Sequence, residues 1–515
     1  MSIKKRFLFS VGANIVRAGL SLAVGLLVAR GLGPADYGNL AYLLGSFWAS
    51  RALLDMGMAS AFYTFIAQKH RGRRYYLVYF GWLTFQFLFS VGLVALLLPS
   101  TVVDRFWLGH PRELILLAFL ATFLQNQIWQ TVVQIHEAAR QTIKVQMAGL
   151  LIICVHLLLV VLLLFFGWLE VRTVLWAIIA EYLVAAVWLA GTLQTATMEN
   201  NANEGRNDET HLREVLSEYF HYCRPMIVIS IFTFTYEMAD RWLLQHFGGA
   251  SQQGFFQVAS QLSTISLLAT TSILNILWKE VAEACKRGEH ARVIQLHQKS
   301  TRLLILLTAT ISCFLGPWSE QLVAILLGDA YHAAWLVLLL MLFYPIHQAM
   351  GQINGTLFMA TGQNTTYMKI TVAGLLVSMP VSYLLIAPES AGGLEMGAIG
   401  LAIKVVGINL VFVNIQSWLI ARYYRIAYHW QYQVTVILAL LALGFFSRGL
   451  VQSLVPNLAQ IQAGTDSLAG LLWIALSRIV YLAGLFILIM RAPSVIGLNR
   501  HDVNALLNDM RHAVR

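Results

Sequence analysis

Between residues 8 and 490 the sequence is a succession of apolar stretches, each about 20 residues or a little longer. They fall near 8–30, 39–67, 75–99, 113–135, 144–168, 173–195, 219–247, 254–280, 300–318, 333–360, 367–387, 397–421, 432–453 and 467–490. At 1.5 Å per residue, about 20 residues cross the hydrocarbon core of a bilayer. In lipid each backbone N–H and C=O has to be satisfied within its own segment, so such stretches fold as helices. The expected fold class is therefore an all-α polytopic membrane protein with about 14 transmembrane helices. Only 12% of the 515 residues are charged, half the share of a soluble domain, and the mean hydropathy is +0.67.

Lysine and arginine fix the expected orientation. They crowd one set of alternate loops, with Lys4, Lys5 and Arg6, then Lys69, Arg71, Arg73 and Arg74, and later Lys279, Lys286, Arg287, Arg292, Lys299 and Arg302. The opposite face receives Arg30, Arg105, Arg112 and Arg172. The positive-inside rule then puts both termini in the cytoplasm. The net charge of +10 follows from that distribution, and no nucleic-acid partner is expected. The basic start before an apolar run resembles a signal peptide, but the run is long, contains Arg17 and leads into another stretch, so a retained first helix is expected.

The chain repeats itself. KVQMAGLL at Lys144–Leu151 returns as KITVAGLL at Lys369–Leu376, and LGPADYG at 32–38 has a looser echo in FGGASQQG at 247–254. Gln130 and Ala138 find counterparts in Gln352 and Ala360. A six-helix repeat gives two lobes in the same orientation, parallel pseudo-repeats, followed by two extra C-terminal helices. The expected organisation is an N-lobe at 1–195, a polar cytoplasmic linker at 196–217, a C-lobe at 218–425, the added helices at 426–490 and a cytoplasmic tail at 491–515. Residues 494–515 suit either a short amphipathic helix or a solvated tail.

Six basic residues lie inside the apolar stretches: Arg17, Arg51, Arg241, Lys404, Arg448 and Arg478. Each costs about 2.5–3.5 kcal/mol on insertion scales, so each should face a bundle interior or a watery cavity. Asp55, Glu181, Glu237 and Asp240 are the acidic residues in the same stretches, so pairing leaves positive charge over. Arg51 with Asp55, and Glu237 with Arg241, have the i,i+4 spacing of a helical ion pair. An anionic passenger would supply the missing counter-charge, and arginine's forked donors match a pyrophosphate. Alternatively, arginines are tied to backbone carbonyls of neighbouring helices, and an isolated acid such as Asp240 is a proton or sodium site or a neutral hydrogen-bonded group.

Asn14 and Arg17 share a polar stripe with Ser10 and Ser21 on an otherwise apolar first helix. Gln130, in a run with Gln125, Asn126, Gln127 and Gln134, and Gln352, near His347, Gln348 and Asn354, supply amides suited to sugar hydroxyls or to interhelical bonding. The expected substrate contacts are thus Arg17, Arg51, Arg241, Lys404, Asn14, Gln130 and Gln352, with Asp55, Glu181, Glu237 and Asp240 as ion-coupling candidates. The sequence carries no Gly-rich nucleotide loop, metal-ligand spacing or nucleophile motif, so neither an enzyme nor a cofactor is expected.

RGLGPADYG at Arg30–Gly38 and LLDMGMASAF at Leu53–Phe62 resemble the paired signature of the polysaccharide transporter family, within the multidrug/oligosaccharidyl-lipid/polysaccharide flippase superfamily. That resemblance implies fourteen helices in two lobes plus a final pair. It implies a flippase that moves an undecaprenyl-pyrophosphate-linked oligosaccharide, for O-antigen or another surface polysaccharide, by alternating access. A polysaccharide polymerase and a chain-length regulator are the implied protein partners, and membrane lipid the surroundings. By position Arg17 and Arg51 are similar to functional arginines of related lipid II flippases. Their helix-eight arginine has no counterpart here, with Arg241 the available substitute, and Arg448 and Arg478 would border a lipid-tail groove. The competing expectation is a drug or metabolite exporter of major-facilitator or multidrug-extrusion type, for which HRGRR at 70–74 is a partial basic-loop match.

Overall fold

A computed structural model describes residues 3–68, 71–204, 211–428, 430–454 and 468–491. The tail at 492–515 lies outside these residues, as does 205–210 of the polar linker. Among the described residues there is no strand, and the all-α membrane expectation is met. Nine helical stretches among them are long and apolar enough to cross a membrane, the first of them 44 residues long.

The chain forms two compact units, one from Met1–Gly254 with Ser382–Gly397, the other from Phe255–Val381 with Ala398–Arg515. The first unit contains α1 (Ile3–Asp55), α2 (Met58–Gln68), α3 (Arg73–Gly92), α4 (Ser100–Phe106), α5 (Arg112–Phe123), α6 (Trp129–Ala138), α7 (Thr142–Phe165), α8 (Val171–Glu204) and α9 (Leu212–Leu243). The helix α10 (Ala250–Ser263) begins in it. α1 packs on α7 and α9, and α8 on α5 and α7. α8 runs on to Glu204, so the first part of the polar linker is helical.

Three features of this unit depart from uniform helices. α1 absorbs two expected spans because a single residue, Gly33, leaves helical geometry at φ 76, ψ 170, a conformation open to glycine, and Pro34 follows at a position where its missing N–H costs nothing. The stretch expected to be one helix over 39–67 breaks at Met56–Gly57, where φ is 48 and 90. Third, π-helical turns at Leu93–Leu97, Leu124–Ile128 and Leu244–Gly248 each insert an extra residue into a helix.

The two copies of the glycine motif fold alike. Gly249 has φ 83, ψ 174, nearly the values of Gly33, at an offset of 216 residues by subtraction of the two numbers. Five residues after each lies a glycine without room for a side chain. A Cβ on Gly38 would stand 1.8 Å from the Ala250 carbonyl oxygen, and one on Gly254 would stand 2.2 Å from the Pro34 oxygen. Pro34 and Ala250 are themselves 216 apart, so the copies meet reciprocally, backbone on backbone.

The second unit contains α11 (Ile265–Lys286), α12 (His290–Leu315), α13 (Ser319–Leu327), α14 (Trp335–Met341), α15 (Tyr344–Ala360), α17 (Gly397–Tyr424), α18 (Trp430–Leu454) and α19 (Leu468–Arg491). Most of α16 (Asn364–Ile386) belongs to it as well. α12 is its central strut, flanked by α11, α15 and α18, and its core is Leu304, Ala349, Ile353 and Leu357 on one side and Ile305, Ala309, Val436 and Leu440 on another.

Candidate functional site

The first unit gathers three of the expected basic residues with all four of the expected acidic ones. Arg17 is exposed on α1, its Nη2 donating to Asn14 Oδ1 at 2.9 Å, which closes the i,i+3 contact of the polar stripe. It rests against Gly149 of α7, where a Cβ would lie 3.2 Å from Nη1. Gly149 belongs to the first copy of the KVQMAGLL repeat, and its counterpart Gly374 instead admits the ring of Phe412. Glu137 of α6 and Tyr182 of α8 interact with Arg17 electrostatically, without an ion pair to it among the described residues. Gln130 is exposed two turns before Glu137 on α6 and so lies on the same helical face.

Around the break after α1 the polar groups are organised by the break itself. Asp55 accepts from the backbone N–H of Ala59 at 3.1 Å and so caps α2. Arg51 acts on it electrostatically, while its guanidinium lies 6.0 Å from the ring centre of Trp48. The expected Arg51–Asp55 contact is thus indirect, because the Asp55 carboxylate is turned to the Ala59 N–H beyond the break and the Arg51 guanidinium to Trp48. The freed carbonyl of Leu54 accepts from Gln86 Nε2 at 3.1 Å, and Gln86 Oε1 accepts from Gln127 of the π turn at 3.3 Å. Broken helices in membranes require such replacements. Gln125 of the same turn donates to the Tyr182 hydroxyl at 3.0 Å, so the amide run serves interhelical bonding here.

On α9, Arg241 pairs with Glu237, Nη1 to Oε2 at 3.8 Å, and donates to the Glu237 carbonyl at 3.0 Å. It lies over Gly45 of α1, where a Cβ would come within 2.3 Å of its Nε. Gly45 and Arg51 are six residues apart, about 9 Å along the helix. Asp240 accepts from the buried Ser382 hydroxyl at 2.6 Å. Glu181, 7% exposed, meets His156 of α7, Nδ1 to carboxylate at 2.9 Å. His156 was not singled out in the sequence, since its partner lies 25 residues away on another helix.

The remaining candidates lie in the second unit. Lys404 on α17 is 1% exposed, and Gln352 on α15 has a buried Oε1 without a hydrogen-bond partner. Arg448 donates to the Pro317 carbonyl and lies 5.4 Å from the Trp318 ring centre, and Arg478 lies 5.3 Å from that of Phe314. These two arginines pack against the end of α12 and the turn that follows it.

Residues 27–336 match the family described as polysaccharide biosynthesis protein. The chain is similar to the amylovoran biosynthesis protein AmsL of Erwinia amylovora, 28% identical over 174 residues, which are 33% of this chain and 43% of that one. It is similar to the probable low-salt glycan biosynthesis flippase Agl15 of Haloferax volcanii, 20% identical over 237 residues, 46% of each. The matches span under half the length of these relatives. In fold it is similar to the lipid II flippase MurJ in an inward closed conformation, with a TM-score of 0.65 at 13% identity, over 93% of this chain and 98% of that one. The chain belongs to the polysaccharide biosynthesis protein family, on the fold of the multidrug/oligosaccharidyl-lipid/polysaccharide flippase superfamily.

Proposed function

We propose that the chain is a flippase that moves an undecaprenyl-pyrophosphate-linked oligosaccharide across the inner membrane of a bacterium by alternating access, with both termini in the cytoplasm. The observation that carries this is the state of Arg17 and Arg51. Both sit on a membrane-crossing helix, and neither makes an ion pair among the described residues. A cation in such a place whose nearby carboxylates, Glu137 for Arg17 and Asp55 for Arg51, do not close an ion pair with it favours an anionic passenger, and a diphosphate accepts paired N–H donors from guanidinium groups. Arg241, with part of its charge spent on Glu237, assists. Asn14 orients Arg17, and Gln130 offers an exposed amide to sugar hydroxyls.

Lys404 and Gln352 are the substrate contacts proposed in the second unit. Asp55, Glu181, Glu237 and Asp240 are the groups through which a proton or sodium gradient would be used. The chain is proposed to act as a transporter without a catalytic step or cofactor, and to hand its cargo to a polymerase working with a chain-length regulator.

The test is complementation of a strain lacking the gene. Arg17→Ala and Arg51→Ala should each abolish surface polysaccharide, with lipid-linked repeat units accumulating on the cytoplasmic leaflet and the protein still present in the membrane. Normal polysaccharide in both variants rejects the site. Normal polysaccharide in the deletion strain itself, with altered drug tolerance, rejects the flippase in favour of an exporter.

A further inference from the structure

Away from these residues, the second unit holds a cavity of about 70 Å³ where α12, α17 and the start of α18 converge on the link at 426–428. The link is non-helical, Arg422 and Arg425 stand just before it in sequence, and Lys299 and Arg302 stand on the part of α12 that lines the cavity; the proposed orientation puts this end at the cytoplasmic membrane surface. Gln298, Thr301 and Arg302 line the cavity from α12 at i, i+3 and i+4, one face of the helix. Tyr428 and Gln433 line it from the other side, and no acidic side chain is among the described lining residues.

Three observations mark this as a built site. Arg302 makes no ion pair among the described residues; its guanidinium lies 5.9 Å from the ring centre of Tyr432, whose hydroxyl in turn donates to the Arg302 carbonyl at 3.2 Å. That contact holds the guanidinium in place while leaving its N–H groups unspent. The Thr301 hydroxyl is buried without a hydrogen-bond partner. Thr308 on the same helix bonds back to the Leu304 carbonyl at 2.6 Å, whereas the Thr301 hydroxyl makes no such bond. Thirdly, the wall behind is fixed: His297 Nε2 meets Asn354 Oδ1 at 3.0 Å, and Asn354 donates to Ser417 at 2.8 Å. A buried donor left unsatisfied costs about 1–3 kcal/mol, and the residue that carries it lines the same cavity as an arginine without an ion pair among the described residues, which favours an acceptor that is not part of the protein.

We propose that this cavity binds a phosphate group, with Arg302, Thr301 and Gln298 as donors. The chemistry is shared by two sources, the headgroup of an anionic phospholipid and free inorganic phosphate. Basic pockets between helices at the membrane surface suit phospholipid headgroups, and the volume, several times the roughly 10–15 Å³ that one water needs, admits a small tetrahedral anion.

The test uses the purified full chain in detergent, with its thermal unfolding midpoint followed as phosphatidylglycerol, phosphatidylcholine or inorganic phosphate is added. Phosphatidylglycerol is expected to raise the midpoint by several degrees, and Arg302→Gln and Thr301→Val to lose most of that rise. An equal rise with inorganic phosphate identifies the soluble source of the same chemistry. An equal rise with phosphatidylcholine reports bulk lipid and overturns the proposal, as does no rise with any of the three. Thr301→Val guards against an Arg302 variant that fails to fold. A rise that survives undiminished in Thr301→Val, with its starting midpoint unchanged, overturns the proposal as well. Polysaccharide export plays no part in the readout, so failure here leaves the flippase proposal standing.

Discussion

Arginines on apolar helices meet three different fates in this protein. Arg448 and Arg478 pack on the end of α12, Arg241 is shared with Glu237, and Arg17 and Arg51 keep their charge uncompensated by an ion pair among the described residues. Insertion cost is similar for all of them, so what separates them is the partner each finds. Glu181 shows the same logic for a carboxylate: buried, it is held by His156 at 2.9 Å. Removing one partner of a buried pair leaves the other uncompensated, so His156→Leu is expected to lower stability by about 3 kcal/mol. Glu181→Gln should cost less, because a neutral amide still accepts from the imidazole. Thermal unfolding of both variants in detergent checks the order; equal loss from both, or none, contradicts it.

At the scale of elements, glycines decide which helices touch. Gly38 and Gly254 face backbone carbonyls that cannot move aside, whereas Gly45 faces the end of the Arg241 side chain, which can. Gly38→Ala and Gly254→Ala are therefore expected to cost about 1–3 kcal/mol or more and to reduce the yield of monodisperse protein. Gly45→Ala should leave folding intact and displace only Arg241. Size-exclusion profiles and unfolding midpoints of the three variants distinguish these outcomes, and normal behaviour of both Gly38→Ala and Gly254→Ala would remove the contact from the account. The helix break at Met56–Gly57 belongs to this scale too, since its cap (Asp55) and its carbonyl partner (Gln86) come from two different helices.

Over the whole molecule, the distribution of lysine and arginine predicts sidedness. Fusions of a cytoplasm-dependent fluorescent protein to either terminus are expected to fluoresce, and alkaline phosphatase fused at the same points is expected to stay inactive; active phosphatase at either end would refute the proposed orientation. Much of the architecture was legible without coordinates. The apolar stretches are local in composition and each coincides with helical structure, and the glycine motif and its echo announced themselves as residue patterns 216 apart. Arg17, Asn14 and the Glu237–Arg241 pair were legible for the same reason, since a helical period converts spacing directly into adjacency. The break that turns Asp55 from an ion-pair partner into a cap was not, because the residues that compensate a broken helix are supplied by other helices. Nor was the choice of His156 for Glu181, of Gly149 for Arg17, or of Pro317 for Arg448, each a meeting of residues far apart in the chain. The sequence by itself determined that this chain crosses a membrane, repeats itself and carries excess positive charge within its spans. Only the tertiary structure decided which of those charges are neutralised, because neutralisation depends on distance in space and on desolvation, neither of which is written in the order of the residues.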